Sequence, residues 1–292
     1  MADLIFTAVT KYNWHDIEPM VVSLEKSGFV GTKIMVVFEM KKALMDKLSD
    51  RGWIVVPADQ RLTVDGDAQY RAYKTFNICV DRFFFYQHIL KNLEGNVDNV
   101  LAIDAKDVIF QDNPNHFFQK IKEMGKKDYL LVSKEGLTYE NEPWAVQNMN
   151  LSFGQNIYNR MKDKEIVNAG VMAGSKKIME HIFFNIAMYC RGIQQHIPGG
   201  GGPDQAAYNI IVNDAIDINA FDVLSMEQWA CQAGTVSDPN KIDHYRPNLL
   251  TEEPLWDEEI VKTLYKKYKY CIVHQYDRVP EWREHFLKKY RD

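Results

Sequence analysis

The pattern that most limits what this chain can fold into is an alternation of short apolar runs with longer amphipathic segments. Leu4 to Val9, Lys33 to Phe38, Trp53 to Val56 and Asn99 to Asp104 are apolar runs of strand length. Between them, Trp14 to Ser27 sets Ile17, Met20, Val21 and Leu24 on one helical face, Lys41 to Arg51 stops at Gly52, and Asn77 to Leu93 is amphipathic. Buried strands joined through helices wind right-handed and build a mostly parallel sheet with helices on its faces. The spacing therefore predicts an α/β fold.

The pattern continues less regularly. Ala58 to Ala72 reads as a polar surface loop. His116 to Met124 is helical, Tyr129 to Ser133 and Val167 to Ala173 are strand-like, and Gly136 to Gln155 reads as packed loop around Tyr139 and Trp144. Lys176 to Gln195 and Asp204 to Asn213 are helical, Tyr270 to Val273 is strand-like, and basic helical residues close the chain. There is no repeat and no low-complexity linker, so one domain over residues 1–292 is expected.

Composition narrows the function classes. With 46% hydrophobic residues in 292, the chain can bury a sizeable core. Its 35 Lys and Arg against 40 Asp and Glu give a net charge of -5, which offers no cationic face for nucleic acid. The four cysteines form no CxxC pair, which argues against a zinc ribbon and for reduced thiols. The start lacks a signal peptide's pattern, and no run reaches the ~18 apolar residues of a membrane span. A soluble, cytoplasmic protein is expected; its oligomeric state is open.

Five segments carry residues suited to chemistry. Asp104 ends a strand-like run and Asp107 follows three residues later. In open α/β sheets ligands sit beyond the carboxyl ends of the strands. Residues three apart on a strand face opposite sides, so these carboxylates converge only if the strand stops at Asp104 and the chain turns. Converging, they suit a hard cation such as Mg²⁺ or Mn²⁺; apart, each caps a local turn. Asn168 interrupts an apolar run, and a buried amide is costly unless hydrogen-bonded. Ala169 and Gly170 beside it leave room for close approach to the backbone. A ligand-facing amide and a β-bulge with a satisfied Asn both fit.

The run Gly199 to Gly202 carries an entropy cost if ordered and suits a loop that closes over a ligand. Asp204 follows at a helix start, where a carboxylate either caps the helix or faces a pocket as acid, base or sugar-hydroxyl acceptor, with the amide of Gln205 beside it. His274 at a strand end is a metal ligand or a hydrogen-bonded structural residue, and Arg278 nearby suits phosphate. Arg82, with Lys74 upstream, is either a diphosphate contact or a side chain lying along apolar surface.

In chain order, these segments resemble the GT-A class of nucleotide-sugar-dependent glycosyltransferases. LIFTAVTKYN is similar to the edge that holds the nucleotide base and ribose, which implies Thr7, Ala8, Val9 and Tyr12 as nucleotide contacts. VLAIDAKDVIFQ resembles the family's acidic metal motif, with two residues between the carboxylates instead of one. It implies Asp107 as a direct ligand, Asp104 on metal or ribose, and Ala105 beside the nucleotide. VNAGVMAG resembles the strand facing the donor sugar, which implies Asn168 as a sugar contact. PDQAAYN resembles the segment at the reacting centre, which implies Asp204 and Gln205. IVHQYDR resembles the late motif of glycogenin-like and galactosyltransferase-like families, which implies His274 on the metal and, with Lys74 and Arg82, Arg278 on the diphosphate.

The resemblance implies a single GT-A, Rossmann-like domain with a mixed, mostly parallel sheet. Residues 1–112 would form the nucleotide-binding half and 113–292 the donor-sugar and acceptor half. It also implies Mn²⁺ or Mg²⁺ as cofactor, a UDP-sugar ahead of a GDP-sugar as donor, and a glycan or other hydroxyl as acceptor. The reaction would be hexosyl or pentosyl transfer, retaining ahead of inverting, through an oxocarbenium-like transition state. One rival, a sugar-nucleotide nucleotidyltransferase, calls for a glycine-rich basic loop after the first strand. Thr10-Lys11-Tyr12-Asn13-Trp14 stands there instead. A glycan-binding protein that has lost activity is the other rival.

Overall fold

The computed structural model describes residues 3–58, 77–193, 200–214 and 221–291. The strand-helix alternation of the first half folds as expected: β1 (Asp3–Thr10), α1 (Trp14–Lys26), β2 (Thr32–Glu39), α2 (Lys42–Asp50), β3 (Trp53–Pro57), α3 (Ile78–Asn92) and β4 (Asn99–Ile103). Then come β5 (Val108–Phe110), α4 (Asn115–Glu123), β6 (Tyr129–Val132) and β7 (Lys134–Thr138). After these follow α5 (Pro143–Phe153), α6 (Gln155–Met161), β8 (Glu165–Val167), β9 (Val171–Ser175), α7 (Lys176–Cys190) and α8 (Asp204–Asn213). The last third adds β10 (Asp222–Ser225), β11 (Ala230–Gln232), the hairpin β12 (Leu255–Asp257) and β13 (Ile260–Lys262), then β14 (Ile272–His274) and a closing helix over Pro280–Lys289.

Seven strands form the central sheet in the order β10-β6-β9-β4-β1-β2-β3. Every neighbouring pair is parallel except those made by β9, which runs against both β4 and β6. The side chains of β1 alternate between two cores, as a period of two requires. Leu4, Phe6 and Ala8 pack under α3, α7 and α8. Ile5 and Val9 pack under α1, α2 and α4. The molecule is thus a three-layer α/β domain. A smaller sheet, β11-β14-β5, sits beyond the carboxyl end of β4.

Two segments differ from the sequence pattern. Gly136 to Gln155 is not loop: it holds the end of β7 and the whole of α5. Pro143 starts that helix at its first turn, where its missing N–H costs nothing, and Glu142 caps it through Ala145 N. A mean apolar content without clear helical periodicity hid it. Val167 to Ala173 is not one strand. It breaks at Asn168-Ala169-Gly170 into β8 and β9. The helix beginning at Lys176 ends at Cys190, and the run 194–199, with Gly199, lies outside the described residues, as do 59–76 with Lys74.

The reversal of β9 has a consequence for the site. The carboxyl ends of β1, β4 and β6 share one edge of the sheet with the amino end of β9. That edge therefore collects Tyr12, Asp104, Glu135 and the Asn168–Gly170 break.

Candidate active site

Asp104 is the first residue past β4, and its N–H donates to the Gly170 carbonyl at 2.8 Å, which fixes where the strand stops. The chain turns through 104–107 and re-enters as β5. β5 pairs antiparallel with β14, with Val108 opposite His274. Gln275 N donates to the Asp107 carbonyl at 2.7 Å and closes that ladder. The turn satisfies the condition for convergence: oxygens of Asp104 and Asp107 and a ring nitrogen of His274 lie within 4.8 Å of one another. His274 Nε2 is 3.6 Å from Asp104 Oδ2 and 3.5 Å from Asp107 Oδ1.

The donor set suits a divalent cation. His274 is 2% exposed, and its Nε2 is buried without a hydrogen-bond partner. Its Nδ1 is 2.7 Å from Gln232 Oε1. The orphaned nitrogen thus faces two carboxylates at spacings too long for hydrogen bonds but suited to a shared ion. Electrostatics agree. Burial would lower the His274 pKa, but Asp107 and Asp104 outweigh it and raise it to about 10. The ring sits in a strongly negative field.

Arg82 extends the cluster. It lies on the first turns of α3 with its side chain 11% exposed, Nη1 bonded to Asp104 Oδ1 and Nη2 donating to Asp204 Oδ2 at 3.0 Å. Burial works to raise the Asp104 pKa, yet Arg82 and then His274 hold it well below the usual carboxylate range. Asp204 behaves oppositely: burial raises it, and Arg82 offsets only part of that. The two helices meet here because Gly202 lets them. A Cβ on Gly202 would stand 2.8 Å from Cys79 Cβ and 3.0 Å from Asn77 Nδ2 at the start of α3. Asn148 of α5 donates to the Gly202 carbonyl at 2.9 Å from the other side. Tyr12 faces the same carboxylates; burial, then Asp104 and Asp107, push its phenol up to about 12.

No protein-family model and no curated protein matches the sequence. Solved structures do match the fold. Mouse xyloside xylosyltransferase 1, in its apo form, aligns with a TM-score of 0.55 at 14% identity, covering 94% of this chain and 97% of that one. The galactosyltransferase LgtC, in complex with donor and acceptor sugar analogues, aligns at 0.51 and 12% identity, over 93% of this chain and 86% of that one. The glycosyltransferase GlyE of Streptococcus pneumoniae TIGR4 aligns at 0.50 and 13% identity, over 99% of this chain but 63% of its own length. This chain has the GT-A fold.

Within the GT-A frame the sequence-derived residues separate by place. Asp104, Asp107 and His274 converge, and Arg82, Asp204 and Tyr12 join them. Asn168 and Gln205 form a second layer. Asn168 Oδ1 accepts from Gly170 N at 2.7 Å and its Nδ2 donates to Glu135 Oε1 at 2.8 Å. Gln205 Nε2 donates to the same oxygen at 2.8 Å, and its Oε1 accepts from Ala169 N at 3.3 Å. Thr7 and Val9 are fully buried and Ala105 nearly so, which leaves mainly backbone to offer a ligand, while Ala8 packs in the α3 core. Arg278 is exposed and lies 3.8 Å from Asp277, outside the cluster's hydrogen bonds. Lys74 lies outside the described residues.

Three residues escaped the sequence reading. Glu135 is buried, and burial raises its pKa although the Asn168 amide opposes this. It binds Asn168 and Gln205 together and accepts from Thr235 Oγ1 at 3.3 Å. It falls between the strand-like run that ends at Ser133 and the weakly patterned stretch from Gly136, where nothing in the sequence singles it out. Gln232 and Ser133 stand behind His274. Gln232 had a signal: it is a lone amide in the apolar stretch WACQA, the same cue that singled out Asn168. Among the described residues a cavity of about 450 Å³ lined by Gln87, Lys177, His181, Phe184 and Phe221 shares no residue with this cluster.

Proposed function

We propose that this protein is a metal-dependent glycosyltransferase that moves a hexosyl or pentosyl unit from a nucleotide-diphosphate sugar to a glycan or other hydroxyl acceptor. The observation that carries the reading is the buried, unpartnered His274 Nε2 facing Asp104 and Asp107. Three carboxylates (Asp104, Asp107, Asp204) against the one guanidinium of Arg82 leave an excess of two negative charges when His274 is neutral. A divalent cation, Mn²⁺ or Mg²⁺, matches that excess. When bound, it supplies neutralisation of the diphosphate's charge as the glycosidic bond breaks.

The chain's own residues do the rest. Asp104, Asp107 and His274 would hold the ion on the donor side. Arg82 fixes Asp104 and Asp204 relative to each other, so the ion ligand and the sugar-facing carboxylate are set by one side chain. Asp204, whose Oδ2 is the oxygen bonded to Arg82, would accept a donor-sugar hydroxyl through Oδ1. Asn168 and Gln205, both tied to Glu135, hold the Ala169–Gly170 backbone as the floor under that sugar. Asp204 Oδ2 is engaged by Arg82 in an ion pair, which ties up this carboxylate against a role as general base for an acceptor hydroxyl. This favours retention over inversion. The nucleotide lies along the Thr7–Tyr12 edge, with a UDP-sugar ahead of a GDP-sugar. The protein is proposed to act in the cytoplasm.

The test is a panel of UDP- and GDP-sugars with Mn²⁺ and Mg²⁺, read by release of nucleoside diphosphate. We expect one donor class to be turned over only with a divalent cation. No turnover across the panel, together with no rise in melting temperature with any donor, contradicts the proposal.

A further inference from the structure

β11 and β14 run parallel, and Gln232 stands directly in register with His274. Side chains in register on neighbouring strands share a face. Here they meet: His274 Nδ1 is 2.7 Å from Gln232 Oε1, while Gln232 Nε2 donates to Ser133 Oγ at the end of β6. All three residues are 2% exposed. Ser133 is itself held, because its carbonyl accepts from Asn168 N at 2.8 Å. A chain of hydrogen bonds therefore runs from the Asn168 break through Ser133 and Gln232 to the imidazole.

The direction of each bond follows from what the groups can give. With its Nε2 committed to Ser133, Gln232 presents only an oxygen to the ring, and an oxygen of an amide has no hydrogen. Nδ1 must carry the proton. In the neutral ring Nε2 is then the bare nitrogen, and it is the one aimed at the carboxylates. A ring left to itself would populate both tautomers and would turn about its own axis.

From this we infer that Gln232 is a positioning residue that selects the Nδ1–H tautomer of His274 and aims Nε2 at the cation. The inference rests on the cation reading above. It goes beyond it by assigning the selection to a neutral amide on a neighbouring strand. Such partners behind a metal-bound imidazole are worth roughly 10–100-fold in metal affinity.

The experiment compares wild type, Gln232→Leu and Gln232→Glu. Mn²⁺ affinity is read by electron paramagnetic resonance, and the ring nitrogens of ¹⁵N-histidine-labelled, metal-free protein by NMR at a pH where the ring is neutral, since the protonated ring carries a proton on both nitrogens. Leu keeps the bulk and removes the acceptor. Glu keeps an acceptor for Nδ1–H, and the Ser133 hydroxyl can turn to donate to it. Expected is a loss of ten-fold or more in Mn²⁺ affinity for Leu, affinity within about three-fold of wild type for Glu, and an Nδ1-bound proton signal in wild type and Glu that Leu lacks. Equal affinity in wild type and Leu overturns the inference, as does a Glu variant as weak as Leu. If Leu fails to fold, wild type and Glu decide: an Nδ1 without its proton in either one overturns it. If wild type takes up no Mn²⁺ yet shows the Nδ1 proton and loses it in Leu, the cation reading falls and the positioning role of Gln232 stands.

Discussion

At the scale of single residues, the site depends on a missing side chain as much as on those present. A Cβ on Gly170 would lie 2.4 Å from His274 Cε1 and 2.8 Å from Nε2, closer than real atoms approach. The backbone of Gly170 is meanwhile held from both sides, by Asn168 Oδ1 on its N–H and by Asp104 N on its carbonyl. Neither group has room to give. Gly170→Ala is therefore predicted to turn the imidazole away, cost about 1–3 kcal/mol of stability, and weaken Mn²⁺ binding by more than the stability loss alone explains. Urea unfolding with and without Mn²⁺ measures both. An alanine variant with wild-type Mn²⁺ affinity would show that His274 is free to move or is not a ligand. The same residue explains the Asn168 ambiguity: its amide is satisfied at both ends, and it acts by shaping the turn that holds Gly170.

At the scale of elements, what brings Asp107 to His274 is the pairing of β5 with β14, and each of these strands is only three residues long. So short a pair is marginal alone, and Gln111 supports it. Its Nε2 donates to the carbonyls of Val261 and Tyr270, and its Oε1 accepts from Val261 N at 2.8 Å, clamping β13 and the approach to β14 against the end of β5. Gln111→Ala takes the partner from the buried Val261 N–H and Tyr270 carbonyl, while the Val261 carbonyl keeps its bond from Tyr270 N. It is predicted to cost about 2 kcal/mol and to weaken Mn²⁺ binding, although Gln111 touches no ligand atom. Thermal unfolding and a Mn²⁺ titration check this; unchanged cation affinity would mean that the short sheet holds its register unaided. The sequence made some of this legible and some not. The parallel strands and their helices were readable because burial on both faces writes continuous apolar runs. The turn at Asp104–Asp107 was readable as a condition, since two carboxylates three apart can meet in no other way. The pairing of β5 with β14 was not readable, because register between three-residue strands is set by tertiary contacts and leaves no periodicity. Glu135 was invisible for a similar reason: a carboxylate next to a glycine looks solvated until the amides of Asn168 and Gln205 close over it.

At the scale of the whole molecule, the site is assembled from distant parts of the chain. Arg82 comes from α3, the acidic pair from the far end of β4, Asp204 from the start of α8, and His274 from the last strand. The segments read as nucleotide-binding and sugar-binding halves both contribute to the one cluster, so its assembly requires the folded whole. Among the described residues no helix is long and apolar enough to cross a membrane. A ligand that binds only this assembled state stabilises the entire fold by mass action. The most direct test of the central claim is an equilibrium Mn²⁺ titration of wild type, Asp107→Ala and His274→Ala, with and without UDP. The account predicts one ion per wild-type chain, tighter uptake when UDP is present, and a loss of ten-fold or more in both folded variants. Uptake that is absent from wild type, or that survives unchanged in Asp107→Ala and His274→Ala, would contradict it.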